Sequence, residues 1–260
     1  MKFIHITDTH LVEQGKVLYG LNPCDRLARC LDGVIQDHPD AALCVLTGDL
    51  AHVGHRDAYR QLALQLGRLP MPVLPILGNH DNRVNFLEYF PLIGTDANGF
   101  VQYESPVGNY RGLFLDTNEP GVSHGVLCGK RAQWLADRLA EDERPVLLFM
   151  HHPAFALGIA AMDRIALLNT GPLQEALQGH EPRIKHLFFG HLHRPIFGSW
   201  RGIPFSTLRG TNHQVALRLE DTAKVPGSHE PPQYGVVLLG EDSITVHLHD
   251  FLDISARFWL

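Results

Sequence analysis

Short apolar runs alternate with segments of helical periodicity along the first 90 residues of the chain. The predicted strands span residues 2–7, 42–47 and 73–77, and the helices predicted after them span residues 24–36, 55–66 and 84–90. Strands that alternate with helices are typical of βαβ units, in which the strands run parallel. We therefore expect this half of the chain to form a parallel sheet with helices packed outside it.

The second half begins in the same way and then changes character. It has predicted strands at 112–116, 146–150 and 186–189, a helix at 130–140, further short strands at 196–200, 215–219, 234–239 and 244–249, and a Pro/Gly-rich loop at 224–233. The closely spaced strands after residue 196 favour antiparallel pairing. Because no repeat of fixed period is present, the pattern predicts a single α/β domain over residues 1–260. Its predicted architecture is a two-sheet mixed β-sandwich flanked by helices.

Polar side chains of the kinds that bind metals follow five of these predicted strands. The five groups are Asp8 with His10, Asp49, Asn79 with His80 and Asp81, His151 with His152, and His191 with His193. Ligands of α/β proteins bind at the carboxyl ends of the strands, where the connecting loops meet. The five groups are therefore expected to form one site.

Composition narrows the class of protein. The chain has 260 residues, 17 histidines and a formal net charge of −6. This acidic balance argues against a general binder of polymeric nucleic acid, which normally carries a basic face. No apolar run approaches the roughly 20 residues that a membrane-spanning helix needs. The first strand is predicted to begin at residue 2, which leaves no room for a signal peptide, and the four cysteines form no C-x-x-C pair. We therefore expect a cytoplasmic protein with reduced thiols.

The donor types indicate a particular metal chemistry. The candidate ligands offer carboxylate, amide and imidazole donors without any thiolate, and they are Asp8, His10, Asp49, Asn79, His151, His191 and His193. This set suits two divalent metal ions such as Fe, Mn, Zn or Co, rather than a structural zinc held by cysteine. Seven ligands are too many for one four-coordinate ion but fit two ions that share a bridging carboxylate. Such a pair can hold a hydroxide between the ions and clamp a phosphoryl group for in-line attack.

Each motif alone also has an ordinary structural explanation. A D-x-H sequence is a weak signal, and Gly-Asp after a strand is often a turn followed by a helix cap. The His151-His152-Pro153 sequence could be only a rigid loop, because proline favours an extended residue before it. The argument therefore depends on the ordered set of five motifs, each placed after a predicted strand.

The ordered set D-x-H, GD, GNHD, HH and GHxH resembles the calcineurin-like metallophosphoesterases. Within that family the chain is similar to the class III cyclic-nucleotide phosphodiesterases and the bacterial glycerophosphodiesterases. The pieces that carry this similarity are KVLYG at 16–20, FLEYF at 86–90, GTDAN at 94–98, FMHHP at 149–153, Met162-Asp163 and GTNHQV at 210–215. The resemblance covers residues 1 to about 215 and implies the αββα fold of the family. It also implies that a segment of about 194–233 covers the substrate site or mediates homo-oligomer formation.

The resemblance also implies a role for each site residue. The first ion takes Asp8, His10, Asp49 and His193; the second takes Asp49, Asn79, His151 and His191; Asp49 bridges the two. His80 and Asp49 are the implied catalytic residues, with His80 stabilising charge or protonating the leaving oxygen. Asn79, His80 and His213 are the implied substrate contacts. We expect His152 to pack behind the ligands, and Asp81 to cap the next helix and orient its loop.

The implied activity is metal-dependent hydrolysis of small phosphate diesters by a hydroxide that bridges the two ions. The flanking pieces favour glycerophosphodiesters, with a broad substrate range, over 3′,5′-cyclic nucleotides such as cyclic AMP, which remain the alternative. A binding scaffold without activity is disfavoured because all seven ligands and His80 are present. A DNA-processing nuclease is disfavoured by the acidic balance.

Overall fold

Two mixed β-sheets and six α-helices make up the part of the chain that the structure describes. The structure is a computed structural model and describes residues 1–256 and 258–259. The strands are β1 Lys2–Ile6, β2 Cys44–Thr47, β3 Val73–Ile76, β4 Tyr103–Val107, β5 Tyr110–Phe114, β6 Val146–Met150, β7 Ile184–Phe189, β8 Ile196–Trp200, β9 Ile203–Thr207, β10 Gln214–Val215, β11 Gly227–Ser228, β12 Gln233–Leu239 and β13 Ile244–Asp250. The helices are α1 Pro23–Asp37, α2 Arg56–Leu66, α3 Arg83–Tyr89, α4 Gly129–Glu141, α5 Ala160–Asp163 and α6 Gly171–Leu177, and a 3₁₀ turn spans Glu181–Arg183.

Each main sheet combines a parallel centre with antiparallel strands. The first sheet has the strand order β13-β12-β1-β2-β3, in which β1, β2 and β3 are parallel and β12 and β13 are antiparallel additions. The second has the order β4-β5-β6-β7-β9-β8, in which β5, β6, β7 and β9 are parallel. Its outer strands β4 and β8 pair antiparallel. The predicted two-sheet mixed sandwich is confirmed.

The sheets face each other across an aromatic core. The rings of Phe149 and Phe188 stack with centroids 4.9 Å apart, and Phe3 of the opposite sheet meets Phe188 edge-on at 5.6 Å. On the outer faces, α1 and α2 pack on the first sheet through residues such as Leu27. Helices α4 and α6 pack on the second through residues such as Leu135. The layers therefore follow the predicted order of helix, sheet, sheet and helix.

Side-chain caps fix where the site-bearing loops end and helices begin. Asn22 accepts hydrogen bonds from the first backbone N–H groups of α1, and Pro23 occupies its first turn. Asn82 caps α3 by accepting from the N–H of Asn85. The prediction that Asp81 caps this helix is therefore wrong, because the helix begins one residue later than that role requires.

The structure departs from the predicted elements in a few places. The strand predicted at 215–219 ends at Val215, since β10 pairs only with the two-residue β11, and Leu217 and Leu219 are exposed. β11 lies inside the predicted loop at 224–233. Strands β4 and β9 and helices α5 and α6 were not predicted. After Ile196 the pairings are antiparallel except that of β9 with β7, which is parallel. Within the described residues, no helix is both long and apolar enough to span a bilayer.

Candidate metal centre

The loops after five parallel strands bring the predicted ligands together at one edge of the two sheets. Asp8 and His10 follow β1, Asp49 follows β2, Asn79 follows β3, His151 follows β6, and His191 and His193 follow β7. The ligand atoms of Asp8, His10, Asp49 and His193 all lie within 4.8 Å of one another. These are the four residues predicted for the first ion.

Five of the seven predicted ligands have a left-handed backbone conformation. Their φ angles are 52° for Asp8, 45° for His10, 50° for Asp49, 69° for His191 and 47° for His193. Residues other than glycine rarely adopt this region, and each such residue costs about 1–3 kcal/mol. The sharp turns let residues two positions apart in D-x-H and H-x-H both face the cluster. The strained backbone positions thus include five of the seven ligands that the motifs predict.

Glycines beside the ligands leave room for this packing. Gly48 has a φ of 93°, and a Cβ there would lie 2.6 Å from Nδ1 of His151. Gly78 precedes Asn79, and a Cβ there would collide with the carboxylate and backbone of Asp49. The glycines of the GD and GNHD motifs therefore permit the second and third loops to approach His151 closely.

Donor atoms of the first group face one another at short distances. Nε2 of His10 lies 3.1 Å from Nε2 of His193 and 3.4 Å from Oδ2 of Asp49. Nε2 of His193 lies 3.4 Å from Oδ1 of Asp8. All four side chains are buried. Two buried imidazole nitrogens this close to two carboxylates form a cage of the composition that a divalent cation takes.

The second group contains buried polar atoms without a hydrogen bond. Among the described residues, no hydrogen bond reaches Oδ1 of Asn79, Nε2 of His151 or Nε2 of His191. An unsatisfied buried polar atom costs about 1–3 kcal/mol, so three of them together need an explanation. These three residues, with Asp49, are the set predicted for the second ion. A cation bound by these atoms would satisfy all three, so the residues present fit the implied metal.

Asp49 lies between the two groups. Its Oδ2 faces His10, as described above, while its Oδ1 lies 3.4 Å from Nε2 of His151. One carboxylate therefore offers an oxygen to each side, which is the geometry that a bridging ligand needs. Nδ1 of His151 contacts the carbonyl of Thr47 at 2.7 Å, and Nδ1 of His193 contacts the carbonyl of His213 at 2.7 Å. Such contacts place the proton on Nδ1 and leave Nε2 for the metal.

The electrostatics of the cluster favour a bound cation. Burial lowers the pKa values of His10 and His191 well below the usual value, which keeps both rings neutral, as ligation requires. Burial also opposes a charge on His151, but the carboxylates of Asp49 and Asp8 raise its pKa to about 9. The raised pKa of His151 shows that the two carboxylates favour positive charge at this position, and the same carboxylates favour a bound cation.

His80 lies beside this cluster with one ring nitrogen already occupied. Its Nδ1 contacts the carbonyl of His52 at 2.6 Å, so Nε2 remains available to another group. His80 and His213 both line a cavity of about 540 Å³ that also includes Asp49 and Asn79. The two predicted substrate-side histidines thus line the same opening as five of the seven predicted ligands.

Two further predicted residues have clear surroundings. Nδ1 of His152 contacts Oγ1 of Thr117 at 2.7 Å, while its Nε2 is buried without a partner in the described part of the chain. Its position behind the ligands stays a prediction, since His151, His152 and His191 also form a group that could hold an ion. Asp81 accepts hydrogen bonds from the N–H groups of Leu50, Ala51 and Gly78 and from the hydroxyl of Tyr59. It therefore orients the loop, as predicted, although it does not cap the helix.

Sequence reasoning missed several residues at the cavity. Tyr19, His52 and Ser123 line it, and His52 forms a close group with His10 and His80. Tyr19 has a left-handed φ of 52°, like the ligands. The only available signal for His52 was its position three residues after Asp49.

Comparisons with known proteins identify the family of the chain. The model of the calcineurin-like phosphoesterase family matches residues 1–195. A probable cyclic nucleotide phosphodiesterase of Rhodopseudomonas palustris is 44% identical over 256 residues, which are 97% of this chain and 93% of that protein. The glycerophosphodiester phosphodiesterase GpdQ of Enterobacter lignolyticus is 35% identical over 231 residues, 85% of this chain and 81% of that protein.

Among solved structures, the purple acid phosphatase PPD1 of yellow lupin superposes with a TM-score of 0.69. The match covers 98% of this chain and 52% of that one at 15% identity, so it bears on the fold alone. The family model covers most of the chain, and both relatives exceed 30% identity over most of it. The chain belongs to the calcineurin-like phosphoesterase family.

Proposed function

We propose that this chain hydrolyses small phosphate diesters, with glycerophosphodiesters as its principal class, at the cluster centred on Asp49. The chain is a metal-dependent phosphodiester hydrolase. The observation that carries the proposal is the set of three buried atoms without a hydrogen bond, on Asn79, His151 and His191, in the described part of the chain. Together with the cage of Asp8, His10, Asp49 and His193, these atoms would hold two cations.

Two divalent ions at these sites, of Fe, Mn, Zn or Co, would supply Lewis acidity and lower the pKa of a water molecule. Side chains of the site would donate the proton to the leaving group and contact the substrate. Because Nδ1 of His80 donates to the carbonyl of His52, a protonated His80 presents its Nε2–H to the cavity. That group can donate to the departing alkoxide oxygen as negative charge develops there. We assign this role to His80 and a substrate contact to His213.

The shape of the cavity favours small substrates. A volume of about 540 Å³ is typical of a site for a small molecule. Part of its wall is apolar and comes from Met162, Ile165, Val215 and Val225. A diester whose phosphate lies at the cations would place one organic arm against this wall. The net charge of −6 argues against polymeric nucleic acid as a substrate, because its phosphates are also negative.

The segment of about 194–233 is proposed to cover the substrate. Residues 213–215 and 227–229 from it line the cavity. Glu230 holds this segment by accepting hydrogen bonds from Arg194 at 3.0 Å and Arg209 at 2.7 Å. Arg194 directly follows His193, so the covering segment is linked to a predicted ligand. A single domain over residues 1–260, self-association and a cytoplasmic location stay predictions.

Cyclic nucleotides are the second candidate substrates. The 44% identical relative is named a probable cyclic nucleotide phosphodiesterase, whereas the 35% identical relative is named a glycerophosphodiesterase. The ring of Tyr19 at the cavity could stack on a base. The sequence pieces KVLYG, GTDAN and GTNHQV still favour glycerophosphodiesters.

A substrate panel tests the proposal. Metal-free protein would be reconstituted with Mn²⁺ and assayed on glycerophosphoethanolamine, cyclic AMP and bis(p-nitrophenyl) phosphate. We expect hydrolysis of all three, with the highest kcat/KM among the two natural diesters for glycerophosphoethanolamine, and no hydrolysis before Mn²⁺ is added. A higher kcat/KM for cyclic AMP would reverse the order of the two classes. Equal rates with and without metal would contradict the metal-dependent mechanism.

A further inference from the structure

Three histidines of the site have their Nδ1 atoms on backbone carbonyls. Nδ1 of His151, His193 and His80 each contacts a backbone carbonyl, at 2.7, 2.7 and 2.6 Å. A carbonyl can only accept a hydrogen bond, so each of these rings carries a proton on Nδ1. The tautomer of these three rings is therefore set by the main chain and does not depend on any neighbouring side chain.

His10 differs from these three rings, because its Nδ1 contacts a side chain. Its Nε2 faces Asp49 and His193, whereas its Nδ1 lies 3.2 Å from Nδ1 of His52. If Nε2 of His10 is to bind a cation, its proton must be on Nδ1, and Nδ1 of His52 must then accept it. His52 in turn carries its own proton on Nε2. One half-buried ring thus sets the tautomer of a buried ligand.

The same residue also supports His80. The rings of His52 and His80 stack with centroids 4.9 Å apart and planes inclined by 19°. The carbonyl of His52 accepts the Nδ1–H of His80. His52 therefore touches a predicted ligand of the first ion with its ring edge and the predicted proton donor with its ring face.

The main chain of His52 is anchored independently of its ring. Its N–H donates to the carbonyl of Leu11 at 2.9 Å, and the preceding Ala51 forms a bridge with Leu11. A substitution at this position therefore leaves the carbonyl that faces His80 in place. The effects of the ring can be measured without moving the loop.

From these contacts we propose that His52 positions both His10, a predicted metal ligand, and His80, the predicted proton donor. This role rests on the proposed metal centre. Its Nδ1 holds His10 in the tautomer and orientation that binds the first ion. Its ring face holds the imidazole of His80 towards the leaving oxygen. His52 binds neither the ion nor the substrate in this role, and it acts only through His10 and His80.

Two substitutions separate the two contacts. His52→Ala removes both the acceptor and the stacked ring. His52→Asn removes the stacked ring but keeps an acceptor, since Oδ1 of asparagine is attached to Cγ as Nδ1 of histidine is. Val53→Ala is the matched control, because Val53 is the next residue and is 67% exposed. Circular dichroism and thermal unfolding would verify that all three variants fold.

Metal binding is the first measurement. Metal-free protein would be titrated with Mn²⁺ by calorimetry, and the titration repeated in the Asn79→Ala background to isolate the first site. We expect His52→Ala to raise the dissociation constant of the first site by roughly 10- to 100-fold, as removal of such a partner typically does. His52→Asn should stay within about threefold of the parent because the acceptor remains. Equal affinity in His52→Ala and the parent, or equal weakening in both variants, would overturn the role towards His10.

Turnover at saturating Mn²⁺ is the second measurement. Both variants should lower kcat for glycerophosphoethanolamine by roughly tenfold, because neither keeps the ring that stacks on His80. Unchanged kcat in both variants would overturn the role towards His80. A parent protein that binds no Mn²⁺ would contradict the proposed function itself, together with the role of His52. If the parent binds two ions, and His52→Ala and His52→Asn match it in Mn²⁺ affinity and kcat, only the role of His52 is contradicted.

Discussion

The backbone N–H of His80 donates a hydrogen bond of 2.9 Å to Oδ1 of Asp49. The carboxylate that lies between the two predicted cation sites therefore also fixes the main chain of the residue predicted to face the leaving group. Any change at Asp49 is expected to disturb metal binding and the position of His80 together. This coupling makes Asp49 the most sensitive position in the site.

Replacement of Asp49 by alanine is the first test. We expect Asp49→Ala to bind neither ion at the parent's affinity and to hydrolyse bis(p-nitrophenyl) phosphate with added Mn²⁺ at least roughly a hundredfold more slowly. Metal content by mass spectrometry and the initial rate give the two readouts. Asp242→Ala is the control, because Asp242 is an exposed aspartate. If Asp49→Ala were as fast as the parent, the two-metal interpretation would be wrong.

Asn79 and His80, adjacent in the GNHD motif, are predicted to have different roles, metal binding and proton donation. Asn79→Ala removes one of the three unpartnered buried atoms and should weaken binding of the second ion by about 10- to 100-fold. His80→Ala removes only the donor that faces the cavity, so both ions should stay bound while kcat falls by about 10²- to 10⁴-fold.

The leaving group sharpens this comparison. Glycerol and ethanolamine, the two alcohols of glycerophosphoethanolamine, are both poor leaving groups that need a proton, whereas p-nitrophenolate does not. We expect His80→Ala to lose more activity on glycerophosphoethanolamine than on bis(p-nitrophenyl) phosphate. Loss of one bound ion from His80→Ala, measured by metal analysis, would show that the two roles have been assigned the wrong way round.

The sequence predicted the layers, and the meeting of the candidate ligands at one sheet edge, because both depend on local patterns. Asp8, Asp49 and His191 directly follow apolar strands or their terminal glycines, so their meeting point follows from the parallel sheet alone. The contact between His10 and His52 could not be predicted in this way. It joins residues 42 positions apart through left-handed turns whose geometry is not encoded in polarity. The wrong strand at 215–219 has a related cause, because β11, its partner among the described residues, pairs only with Gln214 and Val215.

Gly78 is predicted to be irreplaceable for steric reasons. A Cβ on Gly78 would lie 2.7 Å from Cε1 of His151 and would collide with Asp49. We expect Gly78→Ala to destabilise the protein by about 1–3 kcal/mol through overpacking and to lower its bound metal. Gly129→Ala is the matched control, because it lies in the first turn of α4 with nothing within 4 Å of the added Cβ. Urea unfolding of both variants gives the comparison, and equal stabilities would contradict the steric argument.

Stability in acid is predicted to depend on His186, a buried histidine that is not a predicted ligand. His186 lies on β7, its Nε2 contacts Oγ of Ser206 at 2.8 Å, and burial lowers its pKa to about 4. An unfolded histidine has a pKa of about 6.5, so the unfolded chain binds the proton more readily. The contribution of a neutral His186 is therefore complete above pH 6.5 and is lost as the pH falls towards 4.

The size of this effect follows from the pKa difference. At pH 5 the parent should have lost roughly 2 kcal/mol of unfolding free energy through this one group. His186→Gln cannot take up the proton, so the free-energy difference between parent and variant should shift in favour of the variant by that amount between pH 7 and pH 5. Urea unfolding at both pH values measures the shift, and His247→Gln, at an exposed position, controls for loss of an imidazole. If the difference in unfolding free energy between parent and variant is the same at pH 7 and pH 5, the prediction is wrong. His186 would then bind protons equally in the folded and the unfolded chain over this range.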